Sequence, residues 1–298
     1  MLLLIRPAAF SLNAQTAVNN YFQPQSGSDD AASIHADALN EFDAMVERMQ
    51  AADIEVVVVQ DTAEPHTPDS IFPNNWVSFH TEGHVLYPMF AANRRQEREL
   101  AIWAALPASP AVLDLSDEEK HGRYLEGTGS LVLDRINRIA YAALSARTHA
   151  PLVQRWCEVM GYYPVVFNAL QTVNGERLPI YHTNVMMSVG REFALWCPEC
   201  IDERAERTRV EQSLLSSNHE LIAISEVQMQ SFAGNILQVF NRHGQSFMLM
   251  SAAAEQALRG EALHSLQRHG EILACAIPTI ERYGGGSARC MVCEISDK

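Results

Sequence analysis

The sequence has no apolar run approaching the roughly 20 residues that a membrane-spanning helix needs. The N-terminal stretch Leu2 to Ile5 is too short for the core of a signal peptide, and Arg6 and Pro7 end it. It predicts a first strand, and the cytosol is the expected location. Positive charge is scarce: 22 Lys and Arg stand against 36 Asp and Glu, for a net charge of −14 and a pI near 5.2. A phosphate backbone or an anionic membrane surface repels such a protein, so neither nucleic acid nor membrane is expected as a partner. No run of Lys or Arg offsets the net value. Arg94, Arg95 and Arg98 are interleaved with Glu97 and Glu99, which predicts a solvated helix face. The low-hydrophobicity, high-charge signature of disorder is missing as well, with 47% hydrophobic and 19% charged residues. The six cysteines are expected as thiols in a reducing compartment.

No sequence repeat stands out, but an order of elements recurs. Five segments read as an amphipathic helix, a short break and an apolar strand. The strands are predicted over residues 55–60, 111–115, 164–168, 220–225 and 271–277, so their starts lie 56, 53, 56 and 51 residues apart. The helices are predicted over 35–51, 93–105, 150–160, 202–216 and 252–268, with apolar residues at helical spacing, as in Leu39, Phe42, Met45, Val46 and Met49. Short strands fill the gaps, at 76–79, 85–87, 130–133, 185–189, 193–196, 236–240 and 246–250. A doubly wound sheet would alternate strand and helix without these extra hairpins. A period of about 50 residues mixing strands with a helix fits a closed radial array better. The expected fold class is therefore α/β, a five-bladed α/β propeller of pseudo-repeated ββαβ units in one domain over residues 1–298. The centre of such an array is a natural polar pocket.

Chemistry concentrates in a few segments. Tyr283 is followed by Gly284-Gly285-Gly286-Ser287-Ala288-Arg289-Cys290. Three glycines in a row are costly in conformational entropy and suit a backbone that approaches a ligand or turns sharply. A strand predicted over 290–295 follows, so Cys290 stands at a strand mouth, where a thiolate can serve as nucleophile. A buried structural thiol after a flexible loop is the plainer alternative. His182, in Tyr181-His182-Thr183-Asn184, opens another strand and is a natural acid or base near neutral pH. One of 11 histidines can equally be structural. Glu126 precedes Gly127-Thr128-Gly129 and can be partly buried with a raised pKa, or can orient His182. Phe72-Pro73-Asn74-Asn75 sets two amides before Trp76, suited to a planar polar substrate or to a plain turn. The pairs Cys197/Cys200 and Cys290/Cys293 are too far apart for a zinc ribbon, which spaces its paired motifs by about 15–20 residues.

Together these segments resemble the pentein superfamily of guanidino-group-modifying enzymes. Phe72-Pro73-Asn74-Asn75 resembles its early substrate-binding motif, Glu126-Gly127-Thr128-Gly129 its Glu-Gly-Gly motif, and His182-Thr183-Asn184 its catalytic histidine motif. Phe232-Ala233-Gly234-Asn235 resembles a later loop motif, and Gly284 to Met291 the nucleophile motif, the most specific of them. The stretches Arg6 to Phe10, Asn19 to Gln23 and Tyr87 to Arg95 are similar to an amidinotransferase-like bacterial branch, the citrulline-utilisation hydrolases (CtlX). The resemblance implies a five-bladed α/β propeller. It implies catalytic Cys290, His182 and Glu126, with Phe72, Asn75, Asn184 and Asn235 toward the substrate. It also implies a small amino-acid substrate and no metal or organic cofactor; a homo-oligomer stays open.

Arginine deiminases carry Asp where this sequence has Asn75 and Asn184. Two carboxylates suit a cationic guanidinium that only donates, whereas an amide also offers a donor to a ureido oxygen. The expected activity is hydrolysis of a ureido or guanidino C–N bond through a covalent thiol intermediate, with citrulline favoured. Arginine deiminase or amidinotransferase activity is the alternative. A non-catalytic amino-acid-binding protein and a zinc-stabilised interaction protein are the readings from other classes. Arg123, Arg177 and Arg282 are the candidates for the substrate α-carboxylate.

Overall fold

Five mixed sheets account for nearly all the strands of the computed structural model, which describes residues 1–24, 30–99, 102–106 and 109–295. Each sheet has three strands, the first pair antiparallel and the second parallel. In chain order they are Val77–His80 with Gly83–Leu86 and Ala111–Asp114, Val132–Asp134 with Ile139–Leu144 and Tyr163–Asn168, Met187–Val189 with Phe193–Trp196 and Glu220–Ala223, and Leu237–Phe240 with Ser246–Ser251 and Glu271–Cys275. The fifth joins both ends of the chain: Cys293–Glu294 pairs with Leu2–Arg6, which pairs with Val56–Gln60. A separate hairpin, Leu170–Val173 with Glu176–Pro179, stands outside the repeat. Among the described residues no sheet closes on itself, and no helix is long and apolar enough to cross a membrane.

A parallel pair cannot be joined by a tight turn, so each unit needs a crossover, and a helix supplies it. The clearest is Ala31–Ala51, capped by the Asp30 side chain on the Ser33 N–H. It buries Ile34, Ala38, Phe42, Met45 and Met49, one stripe of a 3.6-residue repeat. Ala150–Met160 and Arg204–Ser216 follow the predicted spans closely. The helix expected over 252–268 is broken into Ala252–Ala257 and Glu261–His269, because Gly260 takes φ 77° between them.

Three further expectations need correction. The helix expected over 93–105 is a 3-10 segment, Ala92–Glu99, and a short helix, Ile102–Ala105; its residues 100 and 101 lie outside the described residues. A three-residue turn stacks positions three apart on one face. Arg94 and Glu97 therefore point inward together, 2% and 0% exposed, and the solvated face predicted for this cluster is wrong for both. The strand expected over 290–295 is only Cys293–Glu294. The N–H groups of Cys290, Met291 and Val292 bond the carbonyls of Ser287, Ala288 and Arg289, so this stretch coils in tight turns. The strand Ile139–Leu144 escaped the sequence reading because its alanines carry little strand preference; pairing on both sides holds it.

Phe42 is 0% exposed in the core beneath the terminal sheet. Phe42→Ala is expected to lower unfolding free energy by about 3–5 kcal/mol, seen as a lower denaturant midpoint at unchanged slope.

Candidate active site

The same local device recurs at the entrance to every sheet. Just before its first strand the chain makes a tight turn, and the turn carries the polar residues singled out in the sequence. Asn75 precedes Val77, Gly127–Ser130 precedes Val132, Asn184 precedes Met187, Asn235 precedes Leu237 and Cys290 precedes Cys293. The turns touch one another. Asn74 Nδ2 donates to Thr128 Oγ1 at 3.3 Å, Asn184 Nδ2 to the Thr128 carbonyl at 3.2 Å, and Asn235 Nδ2 to the Asn184 carbonyl at 2.9 Å. The Arg289 N–H donates to Asn235 Oδ1 at 3.1 Å. Residues more than two hundred positions apart are thus gathered by one chain of buried amides.

Cys290 and His182 line one narrow cleft, with Phe72, Asn75, Asp69, Arg94 and Arg147. Both are 2% exposed. The Cys290 sulfur lies 3.3 Å from Asn235 Nδ2 and 3.5 Å from Asn184 Nδ2. Neither Asn184 nor Asn235, both expected toward the substrate, is on the cleft wall; their amides hold the sulfur from behind. His182 Nε2 is 2.8 Å from Glu126 Oε2. A Cβ on Gly129 would come within 2.7 Å of His182 Nδ1 and 2.6 Å of Asn75 Nδ2, so only glycine lets these two side chains approach that turn.

Glu126 is fully buried and has two further contacts in place of water. The Phe90 N–H donates to Oε1 at 2.9 Å, and Arg147 Nη1 lies 3.4 Å from Oε2. Burial alone would raise its pKa, but Arg147 and the His182 hydrogen bond outweigh it and hold it at about 2. The raised value considered from the sequence does not occur. For His182 burial is the largest influence and lowers the pKa; Glu126 pulls it back, Arg147 and Arg94 push it down, and it ends at about 4. At neutral pH the pair is a carboxylate and a neutral imidazole. An ionised carboxylate only accepts, so the proton sits on Nε2 and the lone pair on Nδ1.

Asp69, Arg94 and Arg147 were not read from the sequence as site residues, since single charged residues in loops carry no motif. Arg94 makes a bidentate pair with Glu97 at 2.8 and 2.9 Å and donates from Nη1 to Asn75 Oδ1 at 2.8 Å. Asp69 Oδ2 accepts from Asn13 and Thr16, while Oδ1 is buried without a partner in the structure. Burial raises the pKa of Asp69 against the pull of Arg94. The arginines expected to hold a carboxylate lie elsewhere. Arg123 pairs with Glu118, Arg177 with Asp202 and Glu226, and Arg282 borders a different cleft.

An N-terminal strap roofs the cleft. Asn20 Nδ2 donates to the Gly285 carbonyl at 3.0 Å, Gln23 Nε2 to the Tyr283 carbonyl at 2.8 Å, and the Tyr181 hydroxyl also donates to Gly285. Side chains on the glycine triplet would run into Phe72 and Asn20, which is the steric reason for three glycines. Cys293 faces away, its sulfur 3.4 Å from the Val77 carbonyl, and burial pushes its thiol up to about 12. Cys197 and Cys200 sit 3.2 Å apart at the sulfurs, buried in another part of the core. Among the described residues no three His, Cys, Asp or Glu side chains are grouped to hold a metal ion.

The buried pair sets a pH dependence of stability. His182 falls from its ordinary 6.5 to about 4 on folding, and Glu126 from 4.5 to about 2. In both cases the unfolded chain binds more protons over the interval, so stability is present above it and lost as pH falls. Unfolding midpoints are expected to drop from about pH 6.5 downward, and His182→Gln is expected to flatten the limb between 6.5 and 4. An unchanged limb in the variant would assign the acid sensitivity to other groups.

The chain matches the family model described as "N,N dimethylarginine dimethylhydrolase, eukaryotic" over residues 6–297. A search of curated proteins found no match. Solved structures share its fold. The N-terminal domain of ArgZ, an arginine dihydrolase from the ornithine–ammonia cycle in cyanobacteria, solved with bound substrate, is 15% identical with a TM-score of 0.74, covering 99% of this chain and 98% of that one. A variant of AgrE in complex with L-arginine is 16% identical with a TM-score of 0.74; the match covers 99% of this chain but only 40% of AgrE. A variant of dimethylarginine dimethylaminohydrolase carrying an S-methyl-L-thiocitrulline adduct is 14% identical, with a TM-score of 0.66 and 98% of both chains covered. The chain therefore belongs to the N,N dimethylarginine dimethylhydrolase family, within the pentein superfamily of guanidino-modifying enzymes.

Proposed function

We propose that this protein is a cysteine-dependent hydrolase of arginine-type amino acids, with the ureido C–N bond of citrulline as the favoured target. The family match and the likeness to arginine dihydrolase and dimethylarginine dimethylaminohydrolase structures support an amidino-group hydrolase. The preference for citrulline rests on the Asn75 amide. Arg94 can only donate, so the atom it meets must be Oδ1, and one Nδ2 hydrogen goes to Asn74 Oδ1 at 3.0 Å. What Asn75 has left to offer is one N–H and the second lone pair of Oδ1; the N–H can meet a ureido oxygen, an acceptor that a guanidinium lacks. We read the five sheets as blades of a five-bladed propeller in one domain over residues 1–298, and the cytosol as its location.

The chemistry follows from the neutral imidazole. His182 Nδ1 takes the Cys290 thiol proton, and the sulfur attacks the ureido carbon. His182 returns the proton to the δ-nitrogen as the C–N bond breaks, releasing ornithine and leaving a carbamoyl group on sulfur. A water gives its proton to His182 and attacks that carbon. Carbamate leaves, decomposing to ammonia and carbon dioxide, and Cys290 regains its proton. Glu126 holds the imidazole in the required tautomer. Arg94 and Arg147 are the guanidinium groups available to the substrate carboxylate, and Asp69 Oδ1 is the free acceptor for its ammonium.

A second reading, hydrolysis of arginine itself, is favoured by that same Asp69 oxygen if it meets a guanidinium. Ammonia release from citrulline, arginine and N,N-dimethylarginine, with an added amine to reveal amidino transfer, separates these activities. Cys290→Ala is expected to lose turnover by about a thousandfold or more while keeping its fold by circular dichroism. Wild-type turnover in that variant would remove the nucleophile. Asn75→Asp is expected to lower kcat/KM for citrulline by about tenfold and to raise relative activity on arginine. An unchanged ratio would refute the specificity argument and leave the nucleophile standing.

A further inference from the structure

A second cavity, of about 340 Å³, lies behind the wall that carries the nucleophile. Asn184 and Thr128 form part of its lining, and the Asn184 amide that reaches the Thr128 carbonyl also reaches the Cys290 sulfur. The cavity is thus one side chain away from the thiol, yet neither Cys290 nor His182 borders it. The reaction described above makes no use of it.

Its lining is cationic on a protein whose net charge is −14. Arg135, Arg191 and Arg289 face Asp134 and Glu294. The two carboxylates are occupied. Asp134 accepts from the N–H groups of Ile136 and Asn137 and from the Asn137 side chain. Glu294 lies between Arg135 at 3.6 Å and Arg289 at 3.4 Å, so two guanidinium groups share one carboxylate. Arg191 is exposed, stacks on the Phe240 ring at 3.9 Å, and among the described residues forms no ion pair. Ser188, from the strand Met187–Val189, also borders the cavity. It is 7% exposed, and its hydroxyl has no hydrogen-bond partner in the structure. A buried hydroxyl without a partner is costly unless something fills its bonding capacity.

We propose that this cavity binds a small organic dicarboxylate. One carboxylate would meet Arg191 at the exposed end. The other would meet the Arg135 and Arg289 pair, with Ser188 donating to the ligand. The volume falls in the range of small-molecule sites, and guanidinium groups match carboxylates in geometry as well as charge. The site communicates with the nucleophile by contact. The Arg289 N–H holds Asn235 Oδ1, and Asn235 Nδ2 touches the Cys290 sulfur. An occupant that moves Arg289 moves the clamp on the thiol.

The test is titration of the full chain with succinate by calorimetry at constant ionic strength, so that general screening does not pass for binding. Saturable binding is expected in the wild type, weakened about tenfold in Arg191→Gln and in Ser188→Ala, with acetate binding more weakly than succinate. Bound succinate is expected to change the rate at which iodoacetamide alkylates Cys290, and Arg191→Gln is expected to suppress that change. Ser188→Ala is expected to keep wild-type thermal unfolding, since its hydroxyl has no structural partner, whereas Arg191→Gln gives up its stacking on Phe240 and is expected to unfold slightly earlier while staying folded at the temperature of the titration. Absence of saturable binding overturns the proposal. So does binding that both variants retain, or that excess ornithine displaces, because either result assigns the anion to another site. The readout is binding, so it stands or falls separately from the choice of substrate.

Discussion

A buried amide must find partners for both of its ends, and this requirement organises the molecule around Asn74, Asn184 and Asn235. Each lies at the entrance to a sheet, each is nearly inaccessible to water, and each finds a partner in a neighbouring turn. Leaving such a group unpaired costs about 1–3 kcal/mol. The five sheets are therefore tied at their entrances by bonds that none can make alone. Apolar contacts would tolerate sliding of one sheet against the next, whereas directional bonds fix the entrances to within a few tenths of an ångström. That precision is what the roles proposed for Cys290 and His182, drawn from different sheets, require.

The charged groups obey the same logic at higher stakes. Glu126 has given up all its water, and a backbone N–H, an imidazole and a guanidinium replace it. Arg147 is anchored in turn by Asn19 at 2.9 Å and by the Thr16 carbonyl at 2.8 Å, both from the N-terminal strap. The electrostatic state of His182 thus depends on residues of the strap, which never touch it. Removing any one member exposes another buried charge, so single substitutions here report the loss of a set and not of one contact.

Much of this was legible in the sequence. The recurring helix and strand placed the parallel strands within a few residues, because a crossover helix and its strand carry strong, opposite periodicities. The segments with Asn75, Glu126, His182 and Cys290 stood out because glycines and polar residues interrupt apolar runs there, Asn235 was legible only through the family resemblance, and the structure brings all five together. The failures have physical causes. Arg94 and Glu97 looked solvated because charge predicts exposure, until a three-residue turn directs both inward. Arg147 was invisible because its partners, Asn19 and Glu126, are far away in the chain. Cys290 was assigned to a strand because its neighbours are apolar. Here burial comes from tight packing of a coiled turn, and composition does not distinguish the two.

The sheet that joins both ends of the chain has a consequence for how the protein comes into being. Its strand order sets Cys293–Glu294 against Leu2–Arg6, with a sequence separation close to the whole described length. Contacts of that span are the last to form on a chain emerging from a ribosome, and they slow folding. The imidazole, the carboxylate and four sheet entrances can be in place before the residues around Cys290 are available to join them. The Cys290 sulfur and the strand that seats it arrive together. On the reading of Cys290 as nucleophile, the thiol is thus made only after the imidazole and the carboxylate that would serve it.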